Sequence, residues 1–197
     1  MKKLIVLACL LTGFSSFAQQ NNTVPAELLT GDSTYWSITT VSTINYVNTT
    51  PGAYYNTIKS GGGMIAKFKF TKNNRYEFQL YLQANTYNIE NETWTNVEGT
   101  VEFTKDEKGQ NIFSTKAEKG TYRISRNGKT TTRAITPEEL KEQHSSTYLW
   151  EKTMLNDDVD NVYLLMVDLK QHPTADVHNA QAIDLSWISK FHIPVGQ

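Results

Sequence analysis

The sequence predicts a mainly β chain, an antiparallel meander of about eight strands closed on itself as a barrel, with a two-sheet β-sandwich as the alternative. Three observations carry this prediction. Apolar and polar residues alternate with a period of two in several stretches, asparagine and glycine turn signals separate those stretches, and a single capping signal marks one short helix. Strands that keep one dry face must either close on themselves or stack as two sheets. Closure also removes the exposed edges of a sheet.

The elements follow in chain order. Residues 35–41 (YWSITTV) are aromatic and β-branched, side chains that fit a pleated, half-buried surface. Pro51-Gly52 breaks the pattern, and Gly61-Gly62-Gly63 reads as a second loop or hinge. Residues 67–82 (KFKFTKNNRYEFQLYL) then form the clearest hairpin signal. Met64, Ala66, Phe68 and Phe70 share one face before the turn, and Tyr76, Phe78, Leu80 and Leu82 share one after it. Asn73-Asn74 suits a turn with two positive φ angles. Residues 85–95 read as an exposed loop carrying Tyr87 and Trp94, with Tyr81 beside it. Alternation returns over 97–103 and 119–125, and Asn127-Gly128 closes a further hairpin. The expected inward set is Phe68, Phe78, Leu80, Val101, Phe103, Tyr122 and Ile124.

Thr136-Pro137-Glu138-Glu139 interrupts the strands. Threonine at the N-cap, proline at the first helical position and glutamate three residues after the cap predict a short helix to about His144. Residues 146–153 return to strand. Residues 162–169 are apolar on both faces, as in a strand covered on both sides. Beyond about residue 170 no clean period survives, and the chain reads as a C-terminal extension.

The first eighteen residues read as a signal peptide. Met1-Lys2-Lys3 is positive, residues 4–11 are apolar, and Ser16-Phe17-Ala18 offers small residues at the two positions a signal peptidase inspects. The apolar run is far shorter than the roughly 20 residues that cross a bilayer. Lipidation at Cys9 would leave an apolar stretch of only about five residues before it. The expectation is therefore a secreted or periplasmic protein whose mature chain starts at Gln19, with no membrane span. A flexible leader over 19–34 precedes one barrel domain over 35–197. Cleavage removes Cys9, the only cysteine, so packing rather than disulfides must stabilise the fold.

The charges narrow the function classes. Nineteen basic side chains face twenty acidic ones, a balance that gives no reason to expect nucleic acid as a partner. Neither a Gly-x-Ser-x-Gly elbow, a phosphate loop nor a His-Glu-x-x-His motif occurs. Glu98 and Glu102 share a strand face but lie about 13 Å apart, too far for a glycosidase pair. His172, Asp176 and His178 have metal-ligand chemistry, and residues 156–161 (NDDVDN) cluster oxygen ligands. The first group lies on an expected loop and the second lacks the glycine and distal glutamate of a calcium loop. Both read as solvated turns, so no metal and no cofactor are expected, and no acid, base or nucleophile set supports catalysis.

With Trp36 near the start of the first strand and the hairpin series behind it, the chain over about residues 35–169 resembles the lipocalin-like branch of the calycin superfamily. In lipocalins the corresponding tryptophan follows a glycine by two positions, whereas Thr34 precedes Trp36 here and the nearest glycine is Gly31. The resemblance implies that Trp36 floors the barrel, a structural role. It also implies a carrier that binds a small apolar molecule without chemistry. Phe68, Phe78, Leu80, Phe103 and Tyr122 are then the candidate lining, apolar with one hydroxyl for orientation. The alternative is a cell-envelope interaction module with a filled core, binding protein or glycan through loops and exposed aromatics.

Overall fold

A computed structural model describes residues 23–47, 57–86, 89–179 and 181–196. The signal-peptide reading and Tyr87 lie outside these residues. The described residues fold as one antiparallel sheet of nine strands: β1 (Trp36–Val47), β2 (Thr57–Thr71), β3 (Arg75–Thr86), β4 (Ile89–Lys105), β5 (Asn111–Arg126), β6 (Lys129–Ala134), β7 (Thr147–Leu155), β8 (Asp158–Asp168) and β9 (Ser189–Pro194). The strands run β4-β3-β2-β1-β9-β8-β7-β5, and β4 also pairs with β5, so eight strands form a closed ring. The expected meander closes as a mainly β ring with one short helix.

β5 is the point where the ring forks. Its first residues, Ile112 to Ser114, pair with β7, while Thr121 to Arg126 pair with β6, which stands outside the ring. Helix α1 (Pro137–Gln143) fills the resulting gap. Thr136 accepts the Glu139 N–H and the Glu139 carboxylate accepts the Thr136 N–H, the reciprocal cap that the sequence encodes. Leu140 and Ile135 are buried in the barrel core. Ser145 accepts the Ala117 N–H, and Ser146 exchanges hydrogen bonds with Thr115.

Five local expectations change. First, Gly61-Gly62-Gly63 is not a loop but lies inside β2, opposite β1 and β3. A Cβ on Gly62 would come 2.6 Å from the Gln83 carbonyl oxygen, so glycine here permits close strand approach. Second, residues 89–95 belong to β4, and Glu90 to Trp94 pair with β3 rather than hanging in a loop. Third, only Asn74 has positive φ (56°) in the first hairpin, because Thr71 pairs with Arg75 and leaves a three-residue connection. At the second, Asn127 and Gly128 have φ of 49° and 77°, as a two-residue primed turn needs.

Fourth, residues 24–34 are not a free leader. Val24 and Leu28 are buried in the core, Leu28 completely, and the Leu28 carbonyl accepts the Trp36 indole N–H at 3.0 Å. Two apolar side chains in a polar stretch gave no periodicity to read, yet they close one end of the barrel. Fifth, the segment beyond residue 170 contains the strand that closes the ring. β9 pairs with β8 over six residues and meets β1 at Ser37–His192. Before it, Ala175, Ile183, Trp187 and Ile188 cover Leu149 and Val167 on the outer face, which explains why the β8 sequence is apolar on both sides.

Candidate functional site

The interior has two levels. Its floor is an aromatic cluster built by the alternation of β2, β3, β4 and β5. Phe68 is 5% exposed, with the rings of Phe78, Phe191 and Phe70 at 4.8, 5.5 and 5.9 Å and those of Tyr76, Tyr148 and Phe113 at 6.1 to 6.4 Å. Phe103 packs against Phe70, Phe113 and Trp150 at 5.4 to 5.8 Å. Trp36 is fully buried at this end. Burial pushes the Tyr76 hydroxyl up to about 12 and raises Tyr148 further, so both phenols stay neutral. Of the five candidate lining residues, Phe68 and Phe103 thus contact protein rings on several sides.

The other three, Phe78, Leu80 and Tyr122, are half-buried and pack against the upper edge of that cluster. Register places Ala66, Leu80, Thr95 and Tyr122 in one inward row across β2 to β5. The next row up is Met64, Leu82, Thr93 and Ile124. Ile124 faces inward by register, as expected, but the burial expected of it needs correction: it is 41% exposed, and Leu82 is 40% exposed. The reason is strand length. β4 and β5 have 17 and 16 residues against six in β9 and nine in β7, so the upper wall of the cup has no opposite wall.

Tyr122 is held in place from below and from the side. Its hydroxyl lies 2.7 Å from His144 Nε2 at the end of α1, and Arg133 covers its ring at 4.7 Å while gripping Glu139 through two nitrogens at 2.7 Å. Burial lowers the His144 pKa, which favours the neutral imidazole, and the Tyr122 hydroxyl also donates to the Gln143 side-chain oxygen at 3.3 Å. Burial first, then the Glu139 charge, raises Tyr122. A neutral phenol bonded to a neutral imidazole orients a group and does not activate a nucleophile. Sequence reasoning named Tyr122 but not His144, because nothing local links a helix end to a strand twenty-two residues earlier.

The groups considered for metals are engaged elsewhere. His172 stacks on Trp187 at 4.4 Å, and Asp176 accepts from Lys108 and from the His178 N–H. Asp158 accepts from Asn161 and Tyr163 within the β7–β8 turn. Among the described residues no three His, Cys, Asp or Glu side chains converge. Glu98 pairs with Lys119 at 2.8 Å on the outer face. No described helix is long and apolar enough to cross a membrane. No family model, curated protein or solved structure matches the chain.

Proposed function

We propose that the protein is a carrier that binds a small apolar molecule in the cup above its aromatic floor, in a secreted or periplasmic setting consistent with residues 1–18. One observation carries the reading: the inward row Met64, Leu82, Thr93 and Ile124 stays accessible at the mouth, directly above half-buried Phe78, Leu80 and Tyr122. Leu82 and Ile124 flank Thr93 in one row, so their exposed apolar surface forms a patch on the concave face rather than a single scattered side chain. The Tyr122 hydroxyl, fixed by His144, supplies the single polar contact that orients a ligand. The lipocalin resemblance points the same way.

A ligand that loses about 300 Å² of apolar surface gains about 7 kcal/mol before association costs, so micromolar affinity is the expected ceiling. Titration of the folded chain with 1-anilinonaphthalene-8-sulfonate and a fluorescent fatty acid tests this. Saturable binding that weakens in Leu82→Asp and Phe78→Ala is expected. Absence of binding, or binding unchanged by Leu82→Asp, would overturn the carrier reading.

A further inference from the structure

The outer face of β2, β3 and β4 carries a recess of about 430 Å³, lined by Ile65, Lys67, Gln79, Leu80, Tyr81, Trp94 and Asn96. Apart from Leu80, which pairs with Ala66 in the inward row, these residues have the opposite parity to the core positions Ala66, Phe68 and Phe70, so their side chains lie across the sheet from the cup. Register sorts them into two adjacent rows. Ile65, Tyr81 and Trp94 form one, and Lys67, Gln79 and Asn96 form the other.

The first row is a rigid wall. Tyr81 and Trp94 lie 5.2 Å apart, Arg123 from β5 sits 4.5 Å from the Trp94 ring, and the Tyr81 hydroxyl donates to Glu92 at 2.7 Å. The second row is its polar counterpart. Among the described residues the side-chain amides of Gln79 and Asn96 make no hydrogen bond and Lys67 makes no ion pair; the Lys67 ammonium rests 5.9 Å from the Tyr35 ring. Cross-strand stacking accounts for the wall as sheet stabilisation. It does not account for a recess beside the wall whose lining includes two unbonded side-chain amides and a lysine.

We propose that this recess binds a saccharide. A sugar ring offers an apolar C–H face to an aromatic wall and a rim of hydroxyls that both donate and accept, which is what paired side-chain amides satisfy. The volume falls in the range of small-molecule sites. A protein partner needs some 800 Å² on each side, and a fatty ligand would leave the amides unpaired. Alternation separates the outward side chains of the recess from the cup, and Leu80 is the one lining residue the two share.

Isothermal titration of the whole chain with chitotriose, maltotriose, cellotriose and trigalacturonate tests the proposal, with tryptophan fluorescence followed in parallel. At least one probe is expected to bind saturably and to perturb the fluorescence. Affinity should fall tenfold or more in the double variant Gln79→Ala/Asn96→Ala, which leaves the aromatic wall standing, and in Trp94→Ala. Leu82→Asp should leave sugar binding unchanged, and fatty-acid binding should survive the amide double variant, so the two sites fail separately. No binding by any of the four at millimolar concentration, or less than a tenfold loss in the amide double variant, would overturn the saccharide site.

Discussion

The floor of the barrel and its mouth are made from the same strands by the same alternation, yet they have opposite physical character. On β2, Phe68 and Phe70 are buried among rings from β3, β5 and β9, while Met64, four residues earlier than Phe68, is only half-buried. What changes along the strand is the opposite wall. At the floor, β7, β8 and β9 contribute Trp150, Leu164, Phe191 and Ile193, and Val24 and Leu28 close the end. At the mouth those strands have stopped. Stability therefore concentrates at one end of the barrel, and accessible apolar surface at the other.

The largest test of this division is a pair of truncations. Phe68→Ala removes the ring at the centre of the cluster and should cost about 3–5 kcal/mol. Ile124→Ala, on an inward strand position that water already reaches, should stay within about 0.5 kcal/mol. Chemical denaturation measures both. Similar costs would mean that mouth and floor are packed alike and that the division is false.

A second test concerns the bulge on β4 within the floor, where Gly99 pairs with buried Tyr76. Pairing with β5 shifts register between Glu98 and Gly99, and a Cβ on Gly99 would overlap the Lys116 carbonyl oxygen and lie 2.8 Å from the Tyr76 ring. Overpacking against backbone cannot be relieved by rotating a side chain. Gly99→Ala should therefore destabilise by about 1–3 kcal/mol, and hydrogen exchange should speed up at Val101 and Thr115, which pair just beyond the bulge, more than at Thr93 near the mouth.

How much of this was legible in sequence follows from which interactions are local. The β2–β3 hairpin was readable because its period lies within twenty residues, although its connection has three residues rather than two, which sets the Thr71–Arg75 pairing. The capping box of α1 was readable because all four positions are adjacent. The closing strand β9 was not: six residues with Phe191 and Ile193 inward carry too short a pattern, and their partners on β8 and β1 lie far away in the chain. Val24 and Leu28 were missed for the same reason. At the candidate site, Phe78, Leu80 and Tyr122 were legible as inward residues, but the exposure of Leu82 and Ile124 depends on where other strands end. The outer recess depends on cross-strand neighbours, which no single strand displays.

The next test is smaller and local. Thr136 caps the helix that plugs the fork of β5, so Thr136→Ala should cost about 1 kcal/mol. If α1 only covers the gap, the loss stays local and fluorescent-probe binding at the mouth persists. If α1 also holds Tyr122 through His144, binding weakens more than stability does. The second outcome would tie the mouth to the helix and sharpen the contrast with the floor, where no such support is needed.

The last test uses pH to separate the two supports of α1. Burial holds the folded His144 pKa below its ordinary 6.5, so the unfolded chain takes up the proton first as pH falls. The stability contributed by neutral His144 is complete above 6.5 and declines as pH drops from there toward the folded value. Glu139 behaves differently: Arg133 and the Thr136 backbone hold its carboxyl down to about 2 from 4.5. Its contribution is complete above 4.5 and is lost only as pH falls from there toward 2. Urea unfolding at a series of pH values should show the first decline beginning near 6.5 in the wild type. His144→Gln, which keeps a hydrogen-bonding partner for Tyr122 without a titrating ring, should remove that decline while preserving the one below 4.5. Loss of both declines in His144→Gln would show that the helix end and its cap act as one unit. An unchanged decline near 6.5 would place the responsible proton elsewhere and detach His144 from the stability of the mouth.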